Sequence, residues 1–330
     1  MSRELLSLRD LQFLLLKINF EFLRNKRILV TGGSGMIGSF LIESLLLGTQ
    51  ESGITIKELV TTSKNGNFNS IHHLCKDFNL ELKLAEFMKE KDYHGFDFVI
   101  HSGGPSSIAK IFDVKDAENA NSTVLNYILN GSPESVCYLS SSQVSNFKPT
   151  DESARNLYTH TKINAEKLIS NYKLDPNTRV NAVRLFHTFG PGVRKNDGRS
   201  FADFLWAVAE GRQPILNTSG SQIRTFLYSI DAIIAFLIII SNKESGLIID
   251  VGSENPIKIV DFARKVSEIG NLFGLLEFAN SAKNYIASPY DSLVPDCTKI
   301  RELGWSESTT IDIGISQTLI WIKNQMVKGV

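Results

Sequence analysis

The 330-residue chain balances 35 Lys+Arg against 35 Asp+Glu, with 42% hydrophobic and 21% charged residues, as in a soluble protein with one large domain and a smaller one. Zero formal net charge leaves no electrostatic footprint for nucleic acid or for an anionic membrane surface. Cys75, Cys137 and Cys297 are far apart and the six histidines are scattered, so no disulfide or metal is expected and a reducing cytoplasm fits.

Residues 1–22 are leucine-rich, but Arg9, Asp10, Lys17 and Glu21 interrupt them and no small-residue cleavage site follows. Neither a secretion signal nor a membrane span is expected. Leu5, Leu8, Leu11, Leu15, Ile18 and Phe22 recur at helical spacing, which predicts an amphipathic helix laid on the domain or on a partner subunit.

A strand over 27–30 runs into a turn with Gly32, Ser34, Gly35, Met36, Ile37 and Gly38, and an apolar helix follows over 40–47. Each glycine has a geometric role. Gly32 takes a turn conformation that a side chain disfavours. Gly35 lets the backbone close on a pyrophosphate, and Gly38 lets the helix lie tight on the strand. Strand before and helix after make this a candidate dinucleotide site, with phosphates on the helix N-terminus.

A second strand is predicted over 56–62. The acid that takes the ribose hydroxyl in NAD sites of this kind is missing from its end, which reads Thr61-Thr-Ser-Lys-Asn65. Thr61 or Ser63 could bond a hydroxyl, and Lys64 could pair with the extra phosphate of NADP, so the cofactor is NAD or NADP. The strand over 96–101 ends in Ser102-Gly-Gly-Pro105, small residues that allow close approach of a cofactor ribose. The next, over 135–143, ends in a serine cluster that should open into the site. Tyr158 and Lys162 stand four apart on a helix and share one face. Strands alternating with helices to about residue 190 argue for a parallel sheet with helices on both faces and ligands at the carboxyl ends of its strands. Residues 232–240 suit a buried helix, and 246–252 a last short strand of the same sheet.

In combination these segments resemble the extended short-chain dehydrogenase/reductase family of nucleotide-sugar epimerases, dehydratases and decarboxylases, over roughly residues 26–325. Gly32, Gly35 and Gly38 match its TGxxGxxG turn, Tyr158 and Lys162 its YxxxK, and Arg184-Leu-Phe-His-Thr-Phe-Gly-Pro191 its RxxNxxGP strand. The resemblance implies a Rossmann-type doubly wound α/β fold with a smaller substrate domain. Residues 1–26 would be a helical extension, 27–190 with about 226–252 the dinucleotide domain, and 191–225 with 253–330 the nucleotide-sugar domain. It implies catalysis by Ser141, Tyr158 and Lys162, the last two also touching cofactor. Substrate would meet Pro105, Ser142, Gln143, His187, Arg199 and Arg224. A homodimer is expected, with a nucleotide sugar as ligand and neither nucleic acid nor membrane as partner.

Departures from the family refine the activity. Decarboxylases carry a Glu where this chain has Gln143, and 4,6-dehydratases an acidic pair where it has Ser142-Gln143. An amide cannot exchange a proton, so elimination has no evident acid or base. The expectation is an epimerase that transiently oxidises a sugar hydroxyl to a ketone, with Lys162 lowering the Tyr158 pKa. The alternatives are a nucleotide-sugar reductase, a dehydratase or decarboxylase with an acid from elsewhere, and a non-catalytic cofactor-binding protein.

Overall fold

The computed structural model describes residues 5–64, 66, 68–76, 78, 80–104, 114–145, 147, 154–279 and 290–328. Apolar runs bounded by glycine turns form seven parallel strands: β1 (Arg27–Thr31), β2 (Glu58–Ser63), β3 (Leu80–Leu84), β4 (Phe98–His101), β5 (Ser135–Ser141), β6 (Arg179–Leu185) and β7 (Ile248–Val251). Their order is β7-β6-β5-β4-β1-β2-β3. The chain works outward from β1 to β3, then returns beside β1 as β4. That reversal opens a crevice at the carboxyl ends of β1 and β4, where open sheets of this class take their ligands.

The helices are α1 (Leu8–Lys17), α2 (Met36–Glu51), α3 (Val114–Glu118), α4 (Val124–Asn130), α5 (Ala154–Ser170), α6 (Ser200–Ala209), α7 (Ser229–Ser241), α8 (Ile259–Ile269), α9 (Thr298–Glu302) and α10 (Ile311–Lys328). Alternation along each strand sends side chains to opposite faces. Ile28 and Val30 of β1 join the core shared with α2 and α7, while Leu29 joins the one shared with α4 and α5. Helix α7 is buried nearly all round, which explains its apolar composition. The first core continues without a break into Phe201, Leu205, Phe262, Val266 and Ile315 of α6, α8 and α10. There Phe226 stacks on Phe262 with ring centroids 4.0 Å apart. Short strand pairs accompany these helices, Ile223–Arg224 with Ile257–Lys258 and Ile215–Leu216 with Glu277–Phe278.

The N-terminal helix lies on the domain itself, against α2 and α7. Its inner face is rotated from the expected one: Asp10, Leu11 and Leu14 are buried while Leu8 is 57% exposed. A hydrogen bond sets the rotation, because the Tyr228 hydroxyl donates to the Asp10 carboxylate at 2.9 Å. The same segment resolves a charge inside an apolar helix. Glu43 of α2 is fully buried, and its carboxylate accepts the backbone N–H groups of Leu5 and Leu6 at 3.1–3.2 Å, since a buried charge must be satisfied. Among the described residues no helix is long and apolar enough to cross a membrane, and no cluster of His, Cys, Asp or Glu could hold a metal.

Candidate active site

A cavity of about 620 Å³ opens at the crevice between β1 and β4. Gly32, Ser34, Gly35, Met36, Ile37 and Gly38 line one end of it. Gly32 has φ +77°, and a Cβ there would stand 2.8 Å from the backbone of Ser102 and Gly103. A Cβ on Gly38 would lie 2.3 Å from the Gly32 carbonyl oxygen, so α2 can start against the turn only if this residue is glycine. Gly35 is looser, since its Cβ would meet only that same oxygen at 3.3 Å. It is the N-cap of α2, and no side chain caps the helix, which leaves the first-turn N–H groups and the helix dipole to face the cavity. An uncapped helix end beside a glycine turn fits a dinucleotide pyrophosphate. Gly33 fits for a different reason: a Cβ on it would strike the Thr61 hydroxyl at 2.0 Å.

That contact bears on the ribose candidates. Thr61 is fully buried and donates to the Val30 carbonyl at 2.7 Å, and it does not line the cavity. Adjacent strand residues face opposite ways, and Thr62 is the one that lines it. Ser63 is also buried and donates to the Ser34 hydroxyl at 2.8 Å, so it acts behind Ser34 rather than in the cavity. Lys64 lines the cavity and pairs with Asp116 of α3 at 2.6 Å. Ser102 lines it too, its hydroxyl donating to the Thr31 carbonyl at 2.6 Å. Arg194 was missed in the sequence; it lines the cavity and donates to the Ser34 carbonyl. Pro105 lies outside the described residues.

Deeper in, α5 delivers one side chain per turn. Tyr158, Lys162 and Glu166 follow at i, i+4 and i+8, each at most 5% exposed. The Tyr158 phenol, pushed up from 10 by burial, is opposed by its hydrogen bond with Ser141 and by the charge of Arg199. Among the surrounding side chains, the cation that favours the phenolate is Arg199; the help expected of Lys162 was tied to a bound nicotinamide ring. Lys162 is occupied elsewhere, donating to the Leu139 carbonyl at 2.8 Å with its ammonium 4.8 Å from the centre of the Tyr138 ring. Burial brings Lys162 down from 10.5 to about 7, against the pull of Glu166. Glu166 was not singled out in the sequence, although its spacing from Lys162 could have shown it. Its carboxylate accepts from Ser140 at 2.6 Å and takes a two-pronged bond from Arg184 at 2.7 and 2.9 Å. The carboxyl end of β5, α5 and β6 are thereby tied together behind Ser141. His101 lines the same wall; Thr31 bonds its Nδ1 at 2.6 Å, and burial, then Lys162, hold it down at about 3, so it is neutral.

The substrate candidates divide. Arg199 lines the cavity, paired with the buried Asp197 and stacked over Phe201 with its guanidinium 4.7 Å from the ring centre. Ser142, Gln143, His187 and Arg224 do not line it. β5 ends at Ser141, so Ser142 and Gln143 fall in the turn beyond, Ser142 held by its N–H to the Leu185 carbonyl at 3.2 Å. Gln143 is half-buried and its N–H meets the Ser141 hydroxyl at 3.3 Å. His187 is half-buried against Phe226, and burial, then Arg224 and Arg199, hold it at about 3. Arg224 is buried and spends its guanidinium on carbonyls, including that of Tyr290 at 2.9 Å. Among the described residues the carboxylates of the cavity are Glu86, Asp116 and Asp197. None comes from the turn after β5.

Comparison with known proteins follows the same lines. The model of the NAD-dependent epimerase/dehydratase family matches residues 28–252, more than half of the chain. The chain is 26% identical over 321 residues to UDP-glucuronic acid decarboxylase 1 of Xenopus tropicalis, covering 91% of this chain and 73% of that one. It is 25% identical over 323 residues to the dTDP-D-glucose 4,6-dehydratase of Mus musculus, covering 90% and 89%. Among solved structures, UDP-glucose 4-epimerase of Thermotoga maritima superposes with TM-score 0.76 at 18% identity, over 91% of this chain and 99% of that one. The UDP-glucuronic acid 4-epimerase of Bacillus cereus, in complex with UDP-glucuronic acid and NAD, superposes with TM-score 0.74 at 20% identity, over 91% and 99%. At such identities the structures speak for the fold.

Proposed function

The chain belongs to the NAD-dependent epimerase/dehydratase family, and from that premise we propose that it binds NAD and a nucleotide sugar and epimerises the sugar by transient oxidation of one hydroxyl. The residues that would hold the cofactor are the Gly32–Gly38 turn with the uncapped start of α2, Ser34, Ser102, Tyr158 and Lys162. Bound NAD supplies a hydride acceptor that can return the hydride to the same carbon. Tyr158 takes the hydroxyl proton and later gives it back, Ser141 bonds the oxygen that loses it, and Arg199 favours the phenolate during the transfer. The pair of buried Glu166 and half-buried Arg184 would hold the wall on which Ser141 and Lys162 sit. Division of the chain into a dinucleotide half and a sugar half, and assembly as a homodimer, belong to the same proposal.

The observation that carries the choice of epimerase is the turn after β5. Its Ser142-Gln143 cannot shuttle a second proton, and Asp197, the carboxylate nearest in sequence to Arg199, is spent on that arginine. Water or carbon dioxide loss needs further acid–base help that oxidation and reduction at one carbon do not. The test uses the purified chain with NAD and with UDP-glucose, UDP-glucuronic acid and dTDP-glucose in deuterated water, followed by NMR and mass spectrometry. The expected product is an epimer of unchanged mass with no solvent deuterium on carbon. Release of water or carbon dioxide would overturn the epimerase reading. Tyr158→Phe should retain NAD binding and lose turnover by ~10²–10⁴-fold; a Phe variant near wild-type rate would remove Tyr158 as the base.

A further inference from the structure

The ribose-reading position at the end of β2 is empty of acid, and the structure offers a replacement from another element. In this fold a carboxylate at that place favours NAD by accepting the ribose 2′-hydroxyl, while a cation there accommodates the 2′-phosphate of NADP. Thr61 is turned away and Ser63 is occupied with Ser34. Lys64 is thus the residue at the end of β2 that brings a charge to the cavity, and alone it would point to NADP. It is not alone. Asp116 reaches across from α3, after β4, and its Oδ2 meets the Lys64 ammonium at 2.6 Å at the cavity edge.

We infer that Asp116 takes the place of the missing β2 acid and makes the site select NAD against NADP. The inference rests on the cofactor reading proposed above and adds the residue that discriminates. The argument is one of charge. A 2′-phosphate entering beside Lys64 brings up to two negative charges against the Asp116 carboxylate, and like charges pressed together at a binding site are strongly disfavoured. A 2′-hydroxyl brings none, and Asp116 Oδ1, the oxygen not bonded to Lys64, is an acceptor for it. The ion pair is well exposed, with side chains 71% and 57% accessible, so it adds little to stability. Removing the carboxylate should therefore leave the fold intact and release Lys64 for a phosphate.

The experiment measures the dissociation constants of NAD and NADP on the cofactor-depleted full chain by titration calorimetry at fixed, low ionic strength. The wild type should prefer NAD by at least about tenfold, Asp116→Asn should move the ratio toward NADP by about tenfold or more, and Lys64→Ala should keep the NAD preference. A wild type that takes NADP as well as NAD, or an Asp116→Asn ratio equal to that of the wild type, overturns the inference while leaving the cofactor reading in place. A folded wild type that binds neither dinucleotide overturns both.

Discussion

Lys162→Met should make the cofactor-free protein more stable at neutral pH while abolishing its chemistry. The lysine is buried, and burial lowers it from 10.5 to about 7. A lysine whose folded pKa lies below its unfolded one binds fewer protons folded than unfolded across that interval, so its contribution to stability rises with pH from about 7 to about 10.5. The gap of about 3.5 pH units, at about 1.4 kcal/mol each, sets the penalty for keeping this charge buried near neutrality at about 5 kcal/mol. Methionine keeps the unbranched stem beside the Tyr138 ring but loses the 2.8 Å bond to the Leu139 carbonyl, a loss of about 1–3 kcal/mol when an acceptor is left buried. The net gain at pH 7 is about 2–4 kcal/mol. Near pH 10.5 the lysine folds neutral at little cost, and the Met variant should be the less stable protein by about 1–3 kcal/mol. Urea unfolding of both proteins at pH 7, 8.5 and 10 reads the difference directly, because every other titrating group is shared. A Met variant that is no more stable at pH 7, or whose advantage does not shrink as pH rises, would refute the reasoning.

The glycine turn gives a paired prediction. Gly38→Ala places a Cβ 2.3 Å from the Gly32 oxygen and should lower stability by about 1–3 kcal/mol while weakening NAD binding, whereas Gly35→Ala, at 3.3 Å, should unfold within about 1 kcal/mol of wild type. Thermal unfolding with and without NAD checks it, and equal stabilities for the two variants would contradict the packing argument. A second prediction concerns basicity. Arg199→Met removes the cation that favours the Tyr158 phenolate, so the rise of kcat with pH should move to higher pH; an unmoved limb would show that Arg199 does not act on Tyr158.

The parts of this molecule that were legible in its sequence are those governed by local geometry. The turn from Gly32 to Gly38 follows from steric demands a few residues long, and Tyr158 and Lys162 share a face because four residues make about one helical turn. The order of elements then leaves few topologies, and the observed sheet is of the expected parallel, doubly wound class, with the edge strand Leu80–Leu84 added beyond those read from the sequence. What was not legible depends on parity and on distant partners. Thr61 and Thr62 are chemically alike and adjacent, and only the packing of Thr61 beneath Gly33 decides that Thr62 faces the cavity. Arg224 was expected to meet the substrate, yet the carbonyls of Tyr290 and Asp291 hold it, a contact 66 or more residues away in sequence. Asp116 and Arg194 enter the cavity from segments with no motif of their own. The division has a chemical consequence. In the proposed mechanism helix α5 specifies where the base stands, while burial raises the Tyr158 pKa and Ser141, then Arg199, oppose that rise from other segments; Arg199 is itself paired with Asp197. An anionic ligand that draws Arg199 toward itself would weaken its support of the phenolate. One held with Asp197 still engaged would leave that support in place, so in the proposed mechanism the Asp197–Arg199 pair links ligand binding to proton transfer.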